Sequence, residues 1–135
     1  MDYLWVALGG ALGSMGRFYA ASAVARLTGP QFPWGTILIN VVGSFIIGLI
    51  ATMTAPGGRF AAPADLRIFL MVGFCGGFTT FSSFSLQTLE LLRDGRAGEA
   101  LGNVVLSVAV CVLAAAAGYS AGLALAARHV LGQPG

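Results

Sequence analysis

Four long apolar stretches, residues 3–27, 35–54, 66–92 and 100–130, take up most of this 135-residue chain. Each is long enough to cross a bilayer, which takes about 20 mostly apolar residues. Short connections rich in helix breakers separate them: Thr28 to Pro33, Pro56 to Pro63, and Asp94 to Gly98. Such a chain is expected to fold as an all-α membrane protein, with four transmembrane helices forming a single domain over 1–135. Charged residues make up 9% of the sequence, against about 25% in an ordinary soluble domain, so the surface has to be covered by the lipid bilayer. Arg17 alone sits deep inside a stretch; the other charges fall near stretch ends and in connections.

Several function classes drop out at once. Lysine is absent and the seven arginines are scattered, so there is no basic footprint for nucleic acid. Cys75 and Cys111 lie inside apolar stretches without metal-ligand spacing and read as small buried hydrophobes. His129, the only histidine, stands near the C-terminus without a nucleophile or acid beside it, which argues against an enzyme. The only charge ahead of the first stretch is Asp2, so the basic region of a signal peptide is missing and the stretch reads as a mature helix. Trp5 and Trp34 fall at stretch ends, where indole rings suit either the headgroup layer or helix packing.

The arginines also bear on orientation. With four spans, Arg59, Arg67 and Arg128 face one side, and Arg26, Arg93 and Arg96 the other. Three against three gives insertion almost no preferred direction, so the chain is expected to enter the membrane both ways up. An antiparallel homodimer is the closed assembly that dual topology favours, since a two-fold contact needs one self-complementary patch. Helix contacts are expected at small residues spaced by four: Gly9 and Gly13; Asn40, Ser44 and Gly48; Gly118 and Gly122.

The third stretch carries the most chemistry. Residues 73–85 read GFCGGFTTFSSFS, and Gly73, Gly76 and Gly77 weaken helix in mid-membrane, so a break is expected near 73–80. Irregular backbone at that depth survives only inside protein or along an aqueous cavity. The carbonyls ending the first half would suit a cation, and the amides starting the second half an anion. Beyond the break, Phe81 and Phe84 share one face, while Thr80, Ser83 and Gln87 follow along the next. The positive edges of two phenylalanine rings could meet a small anion as hydroxyl and amide donors replace its water. Asn40 places an amide within the second stretch, either for the same cavity or for an interhelical hydrogen bond.

Three motifs, GGALGSMGR at 9–17, GTILINVVGSFIIG at 35–48 and GFCGGFTTFSSFS at 73–85, closely resemble the Fluc (CrcB) family of fluoride channels, over nearly the whole chain. The resemblance implies a dual-topology antiparallel homodimer in the bacterial inner membrane. It implies two fluoride pores lined by both subunits, and a central structural sodium ion held by backbone carbonyls, here those of Gly76 and Thr79. Asn40 would be the pore asparagine and Phe81 and Phe84 the pore phenylalanines, with Thr80 beside them. Ser82, Ser83 and Ser107 would contribute hydroxyls, and Arg17 would lie near an aqueous vestibule. The chain departs from some relatives on the fourth stretch, where a row of hydroxyls at four-residue spacing becomes Ser107, Cys111, Ala115. Asn103 stands where some have tyrosine, and Gln87 where others have glutamate.

The competing reading is a small dual-topology, proton-coupled multidrug exporter, whose coupling requires a carboxylate deep in a span. Every acid here lies near a stretch end or in a connection. A purely structural subunit would leave the glycine-rich segment, the hydroxyls and Asn40 without a shared purpose.

Overall fold

The computed structural model describes residues 1–56 and 58–131, leaving aside the side chains of 128–131. The side chains of Arg128 and His129 therefore lie outside the described residues. Within them every regular element is helical. Helix α1 is Asp2–Thr28 and α2 is Trp34–Met53. Helix α3 covers 64–78 as Ala64–Arg67, a π-helical stretch Ile68–Cys75, and Gly76–Phe78. Helix α4 is Phe81–Arg93. Helix α5 runs from Ala97–Val105 through a π-helical turn Leu106–Val110 into Cys111–Leu131.

Three segments are long and apolar enough to cross a membrane: Trp34–Met53, Ala64–Arg93 and Ala97–Ala127, with mean hydropathies of 2.1, 1.4 and 2.3. Helix α1, with 27 residues, has the length at about 1.5 Å per residue but is not among them, because glycines, Asp2, Arg17 and Arg26 dilute its apolar character. The chain is thus a multi-pass helical protein with three spans of clear membrane character and a fourth helix of matching length packed against them.

Backbone-to-backbone packing is closest in two helix pairs. Helix α1 lies on α3: a Cβ at Gly73 would come within 2.9 Å of the Gly9 Cα, and one at Gly77 within 2.6 Å of the Gly10 carbonyl oxygen. Helix α2 lies on α5, where a Cβ at Gly48 would collide with the Ala115 carbonyl and one at Gly118 with that of Phe45. Such crossings need small residues because lipid supplies no hydrophobic drive between helices. Trp5 packs edge-on against Phe69 at 6.4 Å between ring centroids, so its ring serves the α1–α3 contact.

The connections are tied down locally. Helix α4 ends in a Schellman turn, with Gly95 at φ 75°, Arg96 N–H donating to the Leu91 carbonyl at 2.9 Å and Gly95 N–H to that of Leu92 at 3.1 Å. The Arg96 guanidinium pairs with Glu99 and also donates to the Gln31 carbonyl, fastening the third connection to the first at one end of the bundle. At the other end Arg67 Nη1 donates to Thr54 Oγ1 at 2.7 Å and caps the end of α2.

The interruption lies at Thr79 and Thr80, not at the glycines. Gly76 keeps helical angles of φ −64° and ψ −37°, whereas Thr79 and Thr80 are extended at φ −90°, ψ 161° and φ −153°, ψ 116°. The glycines Gly73 and Gly77 serve the close approach of α1. The turn out of the helix falls instead on two β-branched residues, which suit extended backbone.

Candidate ion site at the interrupted helix

Extending Thr79 and Thr80 strips donors from the carbonyls before them. In an unbroken helix Thr80 N–H would serve the Gly76 carbonyl and Ser83 N–H that of Thr79. Here Thr80 N–H donates to Asn40 Oδ1 at 2.8 Å, and Ser83 N–H to the Thr80 hydroxyl at 3.2 Å. Among the described residues no backbone amide replaces them, so the carbonyls of Gly76 and Thr79 both lose their helical partners. The Cys75 carbonyl, by contrast, is doubly satisfied by Thr79 N–H at 3.0 Å and Thr79 Oγ1 at 2.9 Å.

Asn40 is what holds the interruption open. Its Nδ2 donates to the Thr80 carbonyl at 3.1 Å while its Oδ1 takes the Thr80 amide, so one side chain satisfies both backbone groups of the extended residue. Of the two readings of Asn40, the interhelical hydrogen bond is present, and among the described residues it leaves the second Nδ2 proton without an acceptor. Thr80 then caps α4: its hydroxyl lies 3.1 Å from Ser83 Oγ and 3.2 Å from Ser82 Oγ, gathering three hydroxyls where the positive end of the helix dipole points.

A cleft of about 350 Å³ opens beside this turn. Helix α2 supplies Asn40 and Ser44, the α3–α4 junction Gly76, Thr79, Thr80, Phe81 and Phe84, and α5 Ser107 and Cys111. Most of the residues singled out by sequence are therefore brought together on one concavity. Ser82 and Ser83 are not on its lining but reach it through the Thr80 hydroxyl. Arg17, on α1, does not border it and makes no ion pair among the described residues. The two phenylalanines stand 5.2 Å apart at 51° but differ in exposure: Phe84 is 8% exposed and Phe81 76%. Phe84 belongs to the core of the helical bundle, whereas Phe81 projects from it.

Three contributors escaped sequence reading. Cys75 and Met71 line the cleft. Thr88, whose hydroxyl donates to the Phe84 carbonyl at 2.8 Å, receives Asn103 Nδ2 at 2.8 Å; its position one helical turn beyond Phe84 was the available signal. Gln87, by contrast, has a buried Oε1 with no hydrogen-bond partner among the described residues. A buried unsatisfied acceptor costs about 1–3 kcal/mol, so Gln87→Leu is expected to raise the melting temperature of the detergent-solubilised protein. A lowered melting temperature would show that the amide has a partner in solution.

The family model described as "CrcB-like protein, Camphor Resistance (CrcB)" matches residues 4–119. A protein of Opitutus terrae named fluoride-specific ion channel FluC is 59% identical over 123 residues, covering 91% of this chain and 93% of its own. Proteins of the same name from Methylocella silvestris and Rhodospirillum rubrum are 53% and 55% identical, covering 93% and 84% of this chain and 95% and 88% of their own lengths.

Proposed function

The chain belongs to the CrcB family, and on that premise we propose that it is a passive, fluoride-selective channel that releases fluoride from the cytoplasm. It is no enzyme: the relatives are ion channels by name. The observation that carries this reading is the turn at Thr79–Thr80, where a mid-membrane helix is held open by Asn40 over a cleft carrying hydroxyls and an aromatic pair.

Fluoride is the conjugate base of a weak acid, which crosses membranes as the neutral molecule and dissociates inside. A passive pore is then enough for export down the accumulated gradient. Desolvating the ion is the main barrier. At the start of α4 Ser82 donates to Thr80 and Thr80 to Ser83, so among the described residues the Ser83 hydroxyl ends this chain with a free proton that can stand in for lost water. The ring edges of Phe81 and Phe84 present partial positive charge and admit a small anion more easily than chloride.

The active unit is an antiparallel homodimer of dual-topology chains with four transmembrane helices each, α1 included, and two pores lined by both subunits. The exposure of Phe81 supports this reading, since an aromatic pore wall projecting from one protomer calls for a second surface opposite it. Arg17 would stand at a vestibule. The carbonyls of Gly76 and Thr79, stripped of their helical donors, fit a hard monovalent cation. They would hold the structural sodium, which when bound supplies fixed positive charge between the subunits.

The test is fluoride release from liposomes carrying the purified protein, read with a fluoride electrode and repeated with chloride. Rapid fluoride release without chloride release is expected. Well-folded protein that releases neither would return attention to the exporter, despite the position of Asp65 and Glu90 near helix ends.

A further inference from the structure

A second chain of hydrogen bonds runs from the cleft into the bundle. Ser107 Oγ donates to Asn103 Oδ1 at 3.3 Å, Asn103 Nδ2 to Thr88 Oγ1 at 2.8 Å, and Thr88 Oγ1 to the Phe84 carbonyl at 2.8 Å. Asn103 is 0% exposed, so water does not substitute for its partners, while Ser107, 7% exposed, borders the cleft. The direction of the relay is fixed at its far end, because a carbonyl can only accept. Thr88 spends its single proton on Phe84 and must accept from Asn103. The Asn103 amide therefore turns its NH2 to Thr88 and its oxygen to Ser107, which leaves Ser107 to donate inward.

This has a consequence for an anion in the cleft that Ser107 lines. A hydroxyl whose proton is committed to Asn103 presents lone pairs to the cleft, and lone pairs repel an anion. We propose that Asn103 is a positioning residue that holds the Ser107 hydroxyl as an acceptor toward the cleft, so that Ser107 donates to a passing anion only when its bond to Asn103 opens. The inference rests on the channel reading above. At 3.3 Å the Ser107–Asn103 bond is long for a hydroxyl donor, which makes it the weakest joint of the relay and the place where it opens. Asn103 thus competes with the permeating ion for one proton and sets the rate at that point of the path.

Thr88→Val tests this, since it keeps the shape and removes the acceptor that orients Asn103. The amide then turns, its NH2 donates to Ser107 Oγ, and the Ser107 proton swings toward the cleft. Fluoride efflux from liposomes is expected to rise about fivefold, the equivalent of one neutral hydrogen bond. In a Ser107→Ala background the same Thr88→Val change is expected to give no gain. An equal effect of Thr88→Val with and without the Ser107 hydroxyl, or none in either, overturns the proposal.

The side-chain 1H–15N resonance of Asn103, assigned by its loss in Asn103→Asp, gives a readout that does not depend on transport. It is expected to shift in both Thr88→Val and Ser107→Ala, and an unmoved resonance in either overturns the relay. Parent protein that folds but releases no fluoride counts against the channel reading alone, and the resonance then decides the relay.

Discussion

Replacing Asn40 by leucine is expected to abolish fluoride release and to lower the stability of the protein by about 2–6 kcal/mol, the sum for two backbone groups left unpaired in a buried setting. The magnitude follows from the double hydrogen bond. Asn40 Oδ1 and Nδ2 satisfy the amide and carbonyl of Thr80, and leucine, of similar volume, satisfies neither. Thr80 is 8% exposed, and its backbone has no aqueous alternative at bilayer depth. The chain at this turn is then driven back toward continuous helix, which returns donors to the Gly76 and Thr79 carbonyls and erases the site.

Asn40→Asp separates the two contributions. The carboxylate still accepts the Thr80 amide but sets an oxygen against the Thr80 carbonyl and places negative charge on the cleft. Two like charges 4 Å apart at an effective dielectric of 20 repel by about 4 kcal/mol, so flux should fall by more than tenfold while much of the stability is kept. Thermal unfolding in detergent and efflux from liposomes measure the two effects. A folded, conducting Asn40→Leu variant would show that the turn forms without its clamp.

Much of the fold was legible because membrane crossing imposes a coarse rule on long apolar runs. The glycine-bearing faces of α1, α2 and α5 were also legible, since close backbone approach leaves a spacing of four in the sequence. The site was legible as a segment but not as a geometry. The glycines in GFCGG marked the right segment for the wrong reason: all three remain helical, Gly73 and Gly77 admit α1, and the extended residues are the threonines that follow.

What decides the difference is a contact between residues 40 apart, Asn40 and Thr80, and no local propensity encodes it. The relay through Asn103 and Thr88 was hidden for the same reason. Two polar residues in apolar helices each read as an isolated anomaly until packing brings them to 2.8 Å. The π-helical stretches at Ile68–Cys75 and Leu106–Val110 left no trace in composition, yet both flank the cleft, as π segments commonly do at functional sites.

Adjacent glycines on α1 should respond in opposite ways, and that contrast tests whether α1 positions the site or merely covers it. A Cβ at Gly9 would come within 2.8 Å of the Phe74 amide nitrogen and 2.9 Å of the Gly73 Cα, and one at Gly13 within 2.9 Å of the Phe78 amide nitrogen. These obstacles are backbone and cannot rotate aside. A Cβ at Gly10 would have nothing within 4 Å. Gly10→Ala is therefore expected to raise stability by up to about 1 kcal/mol through helix propensity. Gly9→Ala and Gly13→Ala should each lower it by about 1–3 kcal/mol or more through overpacking.

Helix α3 ends in the carbonyls that the extended turn leaves without donors, and Ser14 on α1 donates to the Gly77 carbonyl at 3.5 Å. Pushing α1 away therefore also shifts the residues leading into Thr79. In whatever folded protein Gly9→Ala yields, fluoride efflux per molecule should fall, whereas Gly10→Ala should leave it unchanged. Equal melting temperatures for Gly9→Ala and Gly10→Ala would mean that the two helices are not in backbone contact. Unequal temperatures with equal efflux would make α1 a cover over a site that α2 alone holds in place.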